Sequence, residues 1–186
     1  MNAMHIQRTP LRAVKLIEHS FASDHRGSFT KTFNASSLKA LGIDFTPQEC
    51  FYSISKKNVI RGMHFHSPPH DHDKIVFCTE GRILDVALDI RPSETSYGKH
   101  VAYELSPESH KALFIPKGFS HGFLALSETA TTFYLVNGEF HADADNGVHY
   151  NSFGFEWPVL SPILSDRDLA LKSFKTLLSP YTGCAQ

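Results

Sequence analysis

Short segments of alternating apolar and polar residues, separated by turn residues, constrain the fold of this chain more than any other feature. In residues 83–90 every second side chain is apolar, and the other face mixes two aspartates with apolar residues. This period of two is typical of a half-buried β-strand. Strand-like patterns also occur in residues 75–78, 101–105, 112–115, 122–126 and 131–136. Many short strands with few helices predict a mainly β protein, either a sandwich or a jelly-roll barrel.

Two short helices are expected to flank the strands. The first covers residues 35–41, where Asn34 can cap its start and Gly42 can end it. The second begins after Ser165, because Ser165 and Asp168 have the spacing of a capping box. Its buried side is predicted to carry Ala170, Phe174, Leu177 and Leu178.

Length and composition exclude several classes of protein. A chain of 186 residues suits one domain, so we expect residues 1–186 to form a single domain. The formal net charge of -1 gives no sign of nucleic-acid binding, and no apolar run approaches the roughly 18 residues of a membrane span. Cys50, Cys78 and Cys184 fit neither a disulfide framework nor a paired-cysteine metal site, and no signal peptide is recognisable. We therefore expect a cytoplasmic protein that binds neither nucleic acid nor membranes.

Several motifs bring polar residues together at fixed spacings. They are residues 61–66 (RGMHFH) followed by Asp73 and Lys74, residues 115–123 (IPKGFSHGF), residues 164–168 (LSDRD) and residues 24–29 (DHRGSF). Their order over residues 15–170 resembles the dTDP-4-dehydrorhamnose 3,5-epimerase family. The resemblance implies a cupin-type jelly roll that forms a homodimer and needs no cofactor. It also implies a nucleotide-diphospho-sugar substrate, of the dTDP-4-dehydro-6-deoxyglucose type, in deoxysugar and polysaccharide biosynthesis.

The resemblance also implies four catalytic residues. His64 matches the family's base, and Asp168 matches the carboxylate that pairs with this histidine. Lys74 matches the lysine near the sugar ketone, and Tyr134 matches the acid on the opposite face of the ring. Such an isomerase inverts C3, C5 or both.

The residue types suit the chemistry of epimerisation next to a ketone. Removal of the proton leaves an enolate, so the enzyme needs a base, a stabiliser of negative charge and a proton donor on the other face. Histidine has an unperturbed pKa near ~6.5, close to the working pH. A charged lysine can act at the enolate oxygen like an oxyanion hole. Tyrosine, with a reference pKa of about 10, stays protonated and can donate.

Further residues are expected to bind the substrate. Guanidinium groups are well shaped to grip a diphosphate. In the family's dimers the N-terminal strand reaches the partner's site, so the resemblance implies that Arg26 and Phe29 act across the interface. The full set is Arg26, Phe29, Gln48, Arg61, His66, His121, Phe140 and Arg167.

Four positions depart from the family pattern where the substrate is expected to bind. Lys31 replaces a glutamate, Cys50 replaces an asparagine, His66 replaces a glutamine and Phe140 replaces a tyrosine. The four catalytic residues are all retained. We therefore expect retained proton chemistry on an altered sugar or nucleotide.

Each catalytic assignment competes with a structural interpretation. Asp168 can cap the second helix with Ser165, and one carboxylate cannot easily both cap the helix and pair with His64. Lys74 can be a solvated lysine on a strand. Tyr134 can be a core aromatic residue whose hydroxyl bonds to a neighbour.

The clustered histidines favour a second hypothesis, a metal-dependent cupin. His64 and His66 are two residues apart and project from one face of a strand, so His121 from a later strand can complete a facial site for iron, zinc or manganese. The glutamate usual in such sites is missing, and His70 or Asp71 would have to replace it. A third hypothesis is a protein that binds a sugar nucleotide without catalysis.

Overall fold

Two antiparallel β-sheets face each other and form most of the fold in the computed structural model, which describes residues 3–181. The strands are β1 (His5–Gln7), β2 (Lys15–Glu18), β3 (Ser20–Asp24), β4 (Gly27–Lys31), β5 (Glu49–Lys56), β6 (Ile60–His66), β7 (Lys74–Glu80), β8 (Ile83–Asp89), β9 (His100–Leu105), β10 (Lys111–Ile115), β11 (Phe119–Ala125), β12 (Thr129–Val136) and β13 (Asp145–Gly147). The helices are α1 (Ala35–Ala40) and α2 (Asp166–Leu169), with short 3-10 helices at Ala142–Ala144 and Phe174–Thr176. Each strand expected from the sequence is present, so the prediction of a mainly β protein is confirmed.

The strand order is that of a jelly roll. One sheet has the order β1-β2-β10-β7-β12-β5, the other has the order β13-β6-β11-β8-β9, and β3 and β4 form a separate hairpin. Neighbouring strands are often distant in the sequence, as in the Greek-key connections of this fold. The prediction of a cupin-type jelly roll is confirmed. The strands that carry the predicted catalytic residues, β6, β7 and β12, lie inside the two sheets rather than at their edges.

Apolar side chains fill three layers around the sheets. Between the sheets, Val76 on β7 belongs to the same buried cluster as Phe123 on β11. Outside the first sheet, α1 contributes Leu38 to a second cluster. Outside the second sheet, the chain after β13 contributes Phe153 to a third cluster. The central strands of both sheets are therefore largely buried on both faces.

Strand β8 differs from its prediction as a half-buried strand, because both of its faces are buried. Val86 and Leu88 pack against the segment that follows β13. Ile83 and Ala87 belong to the cluster between the sheets. Asp85 shares that inner face and is fully buried. A carboxylate in such an environment requires a partner.

Helix α1 agrees with the sequence, and so does the start of α2. The side chain of Asn34 accepts a hydrogen bond from the backbone N–H of Ser37, which caps α1 as predicted. Ser165 Oγ accepts a hydrogen bond from the N–H of Asp168 at 3.1 Å, which caps α2.

The predicted length of α2 was wrong. The helix ends at Leu169, and the chain beyond it is engaged by other segments, because Lys172 O accepts a hydrogen bond from His149 N–H at 2.8 Å. The next turn is a 3-10 helix that begins at Phe174. Ala170 and Leu178, two of the four residues predicted on a buried helical side, are exposed, while Phe174 and Leu177 pack only partly buried against the third cluster.

No helix within residues 3–181 is long and apolar enough to cross a membrane. Cys50 is an exposed free thiol and Cys78 is a buried one. Cys184 lies outside the described residues, as do the first two residues of the predicted domain.

Candidate active site

A cavity of about 530 Å³ lies between the two larger sheets. Its walls come from β5, β6, β7, β11 and β12 and from residues around the start of α2. Nine of the twelve residues that the sequence indicated line this cavity: Arg61, His64, His66, Lys74, His121, Tyr134, Phe140, Arg167 and Asp168. Motifs that are far apart in the sequence therefore meet at one place.

His64 and Asp168 form a close hydrogen-bonded pair in the cavity wall. Nε2 of His64 lies 2.6 Å from Oδ1 of Asp168. Burial raises the pKa of Asp168, but the hydrogen bond and charge of His64, the N–H of Gly62 and the charge of Arg167 together outweigh burial and hold that pKa below its usual value. The ionised carboxylate can only accept, so Nε2 of His64 carries the hydrogen. This tautomer leaves Nδ1 of His64 as the basic nitrogen.

The backbone conformation explains why the residue two positions before His64 is a glycine. Gly62 has a φ of +133°, and a Cβ at this position would lie 2.4 Å from Cα of Gly122 on β11. Only glycine tolerates both the backbone angle and the close approach. Gly62 N–H also donates to Oδ2 of Asp168 at 3.3 Å. The segment therefore orients the carboxylate as well as the imidazole.

Capping of α2 and pairing with His64 use different atoms of Asp168. The cap runs through the backbone N–H of Asp168, which donates to Ser165 Oγ. The carboxylate turns away from the cap toward His64 and Gly62. The competition that the sequence suggested does not arise, because the helix start itself positions Asp168.

Lys74 and Tyr134 enter the cavity from the opposite sheet. Lys74 pairs with Val136 and Tyr134 pairs with Val76, so both side chains lie on one face of β7 and β12. Burial lowers the pKa of Lys74 to about 8. Burial raises the pKa of Tyr134 above its usual value, so its hydroxyl keeps the proton. A cation and a proton donor therefore face the sheet that carries His64.

A second histidine–aspartate pair lies beside the first on the same sheet. His121 on β11 is opposite His64 on β6 in the strand register. Nε2 of His121 lies 2.7 Å from Oδ1 of Asp85, and both side chains are almost completely buried. His121 is thus the partner that the buried carboxylate of Asp85 requires.

Two arginines line the cavity, and each is already engaged. Arg61 Nε donates to Ser55 Oγ at 3.0 Å. Arg167 Nη2 lies 2.7 Å from Oδ2 of Asp145, in an ion pair whose arginine side chain is 45% exposed. Both guanidinium groups are held at the cavity, and each retains N–H donors that these contacts do not use.

His66 and Phe140 form another part of the wall. Their rings pack edge to face with centroids 5.6 Å apart, and His72 lies on the other side of His66 at 4.6 Å. Both ring nitrogens of His66 are buried without a hydrogen-bond partner. Burial, together with the charge of Lys74, lowers the pKa of His66, so this ring is neutral at pH 7. The backbone N–H of Phe140 donates a hydrogen bond to Oε1 of Glu49 at 3.1 Å, which fixes the position of Phe140 in the wall.

Three predicted substrate-binding residues do not reach the cavity within one chain. Arg26 forms an ion pair with Asp24 on the β3–β4 hairpin, and Phe29 is exposed on the same hairpin. Both line a separate surface depression. Gln48 precedes β5, whose Phe51 and Ser53 line the main cavity. Because side chains alternate along a strand, the even-numbered Gln48 is directed away from it.

Asp85 and Asp145 were not predicted as site residues. Asp85 had a signal, since a carboxylate among the apolar residues of a strand suggests a buried partner. Asp145 sits in a polar turn, where aspartate is an ordinary residue. Only the pairing of β13 with β6, which places Asp145 opposite His66, brings it to the cavity.

The ligands of the alternative metal site are not assembled. Among residues 3–181, no group of three or more histidine, cysteine, aspartate or glutamate side chains is placed to hold a metal ion. Nε2 of His64 and Nε2 of His121 each bond to a carboxylate, and His66 packs against His72 and Phe140. The facial site predicted from His64, His66 and His121 is therefore not present in this arrangement.

Comparison with known proteins gives consistent results. The family model described as dTDP-4-dehydrorhamnose 3,5-epimerase matches residues 8–176. The dTDP-4-dehydrorhamnose 3,5-epimerase of Escherichia coli (strain K12) is 38% identical over 179 residues, which cover 94% of this chain and 97% of that protein.

Solved structures agree with the sequence comparison. The dTDP-4-dehydrorhamnose 3,5-epimerase of Bacillus anthracis strain Ames, solved with TDP and PPi bound, superposes with a TM-score of 0.90 at 36% identity, covering 92% of this chain and 99% of that one. The dTDP-6-deoxy-D-glucose-3,5-epimerase of Legionella pneumophila Philadelphia 1, solved with dTDP-4-keto-L-rhamnose, has a TM-score of 0.89 at 32% identity, covering 94% of each chain.

Proposed function

Because the chain belongs to the dTDP-4-dehydrorhamnose 3,5-epimerase family, we propose that its cavity inverts carbons beside the ketone of a nucleotide-linked 4-keto-6-deoxy sugar. The reaction makes the protein an isomerase of deoxysugar biosynthesis. The dTDP-4-dehydro-6-deoxyglucose type is the substrate class that its relatives support. Of the four departures from the family pattern, His66 and Phe140 line the cavity and leave room for another sugar or nucleotide, whereas Lys31 and Cys50 do not line it.

His64 is the proposed base, and its Nδ1 atom takes up the proton. The carboxylate of Asp168 accepts from Nε2, so it fixes the tautomer and stabilises the imidazolium that forms. Asp168 is 4% exposed in its side chain, whereas His64 is 27% exposed. The carboxylate is therefore shielded while the base remains accessible to a sugar in the cavity.

Lys74 and Tyr134 complete the proposed proton transfer from the opposite sheet. The Lys74 ammonium group stabilises the enolate oxygen that forms when the proton leaves. Tyr134 donates a proton to the other face of the carbon, which inverts it. The balance closes without a redox change, because one proton leaves the carbon to His64 and one arrives from Tyr134, and solvent then takes the proton from His64 and returns one to Tyr134. The single observation that carries the proposal is this opposition of an accessible His64–Asp168 pair to a protonated tyrosine on the facing sheet.

Arg61 and Arg167 are the proposed diphosphate ligands within the chain, and His66, His121 and Phe140 are proposed to contact the sugar nucleotide. Arg26, Phe29 and Gln48 need another arrangement, because they lie away from the cavity of their own chain. We propose that residues 1–186 form one domain and that the protein is a cytoplasmic homodimer, which the free thiols of Cys50 and Cys78 and the family membership support.

Exposed apolar side chains are consistent with such a dimer. Tyr52 and Ile54 are exposed on β5, which is an edge strand of its sheet, and Phe29 is exposed on the hairpin. If Arg26 acts at the partner's cavity, mixing and refolding the inactive variants Arg26→Ala and His64→Asn together restores activity, because each mixed dimer then contains one intact site. Absence of restoration would contradict action across the interface.

The reaction is tested by exchange of carbon-bound hydrogen with solvent. The wild-type protein is incubated in D2O with dTDP-4-keto-6-deoxyglucose, and the sugar is followed by proton NMR. We expect loss of the C3 or C5 proton signal, or both, together with inversion. dTDP-glucose, which has no ketone, serves as the control and should exchange nothing. Binding of the dTDP, UDP and GDP forms of the keto sugar without any exchange would instead identify a non-catalytic binder.

A further inference from the structure

Asp145 lies in the cavity wall, although no step proposed so far uses it. It belongs to β13, where it pairs with His66 of β6 in the strand register. Its carboxylate oxygen Oδ2 is 2.7 Å from Nη2 of Arg167, and its side chain is 17% exposed. Asp145 also lines the cavity into which Lys74 points.

Without Asp145, cationic side chains outnumber carboxylates in the cavity wall. Three cationic side chains line the cavity, Arg61, Lys74 and Arg167. Asp168 is the only other carboxylate among the lining residues, and its Oδ1 is committed to His64. Asp145 is therefore the carboxylate available to the cations of the wall.

Lys74 is the cation most sensitive to its surroundings. Burial lowers the pKa of Lys74 to about 8, and the charge of Asp145, followed by that of Asp85, acts in the opposite direction. His66 and His72 also face Lys74, and burial, followed by the charge of Lys74, lowers the pKa of each of them. Both histidines are consequently neutral at pH 7 and add no competing positive charge, so Asp145 and Asp85 are the groups that favour protonated Lys74.

We propose that Asp145 is a positioning residue of the epimerase site, whose carboxylate is the counter-charge that holds Lys74 as a cation and fixes Arg167 at the cavity. The inference rests on the proposed function, because it matters only if Lys74 acts on an enolate oxygen. Asp145 itself touches no reacting atom. Its effect runs through the protonation state of Lys74 and through the ion pair with Arg167.

The predicted consequence is a change in the pH profile. A lysine that must be protonated loses its function as the pH rises through its pKa. Removal of a nearby negative charge lowers that pKa. In Asp145→Asn we therefore expect the alkaline limb of kcat/KM to move to lower pH by about 1 unit. The loss relative to wild type should be largest at high pH and smallest near pH 6.

Matched variants separate this effect from a structural one. Asp143→Asn removes the same charge two residues away from an exposed side chain outside the cavity, and it should leave the profile unchanged. Asp145→Glu keeps the charge and should restore most of the alkaline limb. In a Lys74→Arg background, where position 74 no longer titrates in the accessible range, Asp145→Asn should cause no further shift of the limb.

The experiment measures deuterium exchange into dTDP-4-keto-6-deoxyglucose between pH 5.5 and 10 for each variant, with a thermal melt to establish that it is folded. An unchanged alkaline limb in a folded Asp145→Asn variant would overturn this inference alone. Equal shifts in Asp145→Asn and Asp143→Asn would also overturn it. No exchange by the wild-type protein at any pH would overturn the proposed function together with this inference.

Discussion

Residues 3–181 contain two histidine–aspartate pairs that are alike in geometry and unlike in access. His64 and Asp168 are 2.6 Å apart, and His121 and Asp85 are 2.7 Å apart, with the two histidines opposite each other on neighbouring strands. The side chain of His64 is 27% exposed, whereas that of His121 is 5% exposed. A short contact with a carboxylate therefore does not by itself make a base. Access to a substrate distinguishes the two pairs.

The two pairs also differ in how the chain holds the carboxylate. Asp85 extends from the middle of β8 and is fixed by the sheet. Asp168 comes from a four-residue helix whose first turn is capped by Ser165. The deep pair, His121 and Asp85, is built into the core. The accessible pair, His64 and Asp168, depends on one short helix and on the N–H of Gly62. This contrast predicts that loss of the Asp85 carboxylate affects mainly stability, that loss of His121 affects mainly substrate binding, and that substitutions at the accessible pair affect mainly turnover.

The largest expected effect distinguishes the two histidines. His64→Asn should lower kcat by about 10⁴-fold, because it removes the base that takes the proton. His121→Asn should lower kcat/KM by only about 10-fold and mainly raise KM, as expected for loss of a binding contact. Both values come from steady-state kinetics at saturating and limiting substrate. Equal losses of kcat in the two variants would remove the distinction between the pairs.

Substitution of the two aspartates should affect different properties, turnover for Asp168 and stability for Asp85. Asp168→Asn should lower kcat by about 10³-fold, because an amide can stabilise the wrong tautomer of His64. Asp85→Asn should lower the free energy of unfolding by about 2 kcal/mol, because it replaces a fully buried carboxylate hydrogen-bonded to His121. Chemical denaturation and turnover of both variants test this contrast. A stability loss in Asp168→Asn larger than that in Asp85→Asn would contradict it.

The smallest effect concerns the helix cap. Ser165→Ala should cost about 1 kcal/mol of stability, because the N–H of Asp168 loses its partner. Because the same residue carries the carboxylate, kcat should fall by a few-fold as well. Ser173→Ala is the matched control, since Ser173 caps the neighbouring 3-10 helix, which carries no residue of the cavity. An equal fall of kcat in both variants would show that the cap of α2 has no special link to His64.

The strands could be predicted from the sequence because period-two alternation is a local signal. The accessible pair, His64 and Asp168, was indicated by the order of motifs over residues 15–170 and their resemblance to a known family. The mistake at β8 has a physical cause, since alternation cannot show that a second layer covers the other face. The mistake at α2 arose because apolar residues beyond Ala170 have helical spacing, although the chain there forms only a single 3-10 turn at Phe174–Thr176.

Other features depended on pairings that no local pattern encodes. Asp145 reaches the cavity only because β13 pairs with β6. Asp168 uses its N–H to cap α2 and its carboxylate to pair with His64. This double role depends on the position of α2 against β6. Arg26, Phe29 and Gln48 were indicated by the family pattern, yet their own chain does not bring them to the cavity. In each of these cases the position of the side chain in the fold, rather than its residue type, determines whether it belongs to the site.

The central claim is that the base and the acid come from opposite sheets, so that removal and return of the proton are separate events. Tyr134→Phe separates them most directly. In D2O with dTDP-4-keto-6-deoxyglucose, the account predicts that this variant still exchanges the hydrogen beside the ketone through His64 but inverts the carbon at least 10²-fold more slowly than wild type. Inversion by Tyr134→Phe at the wild-type rate would contradict the account.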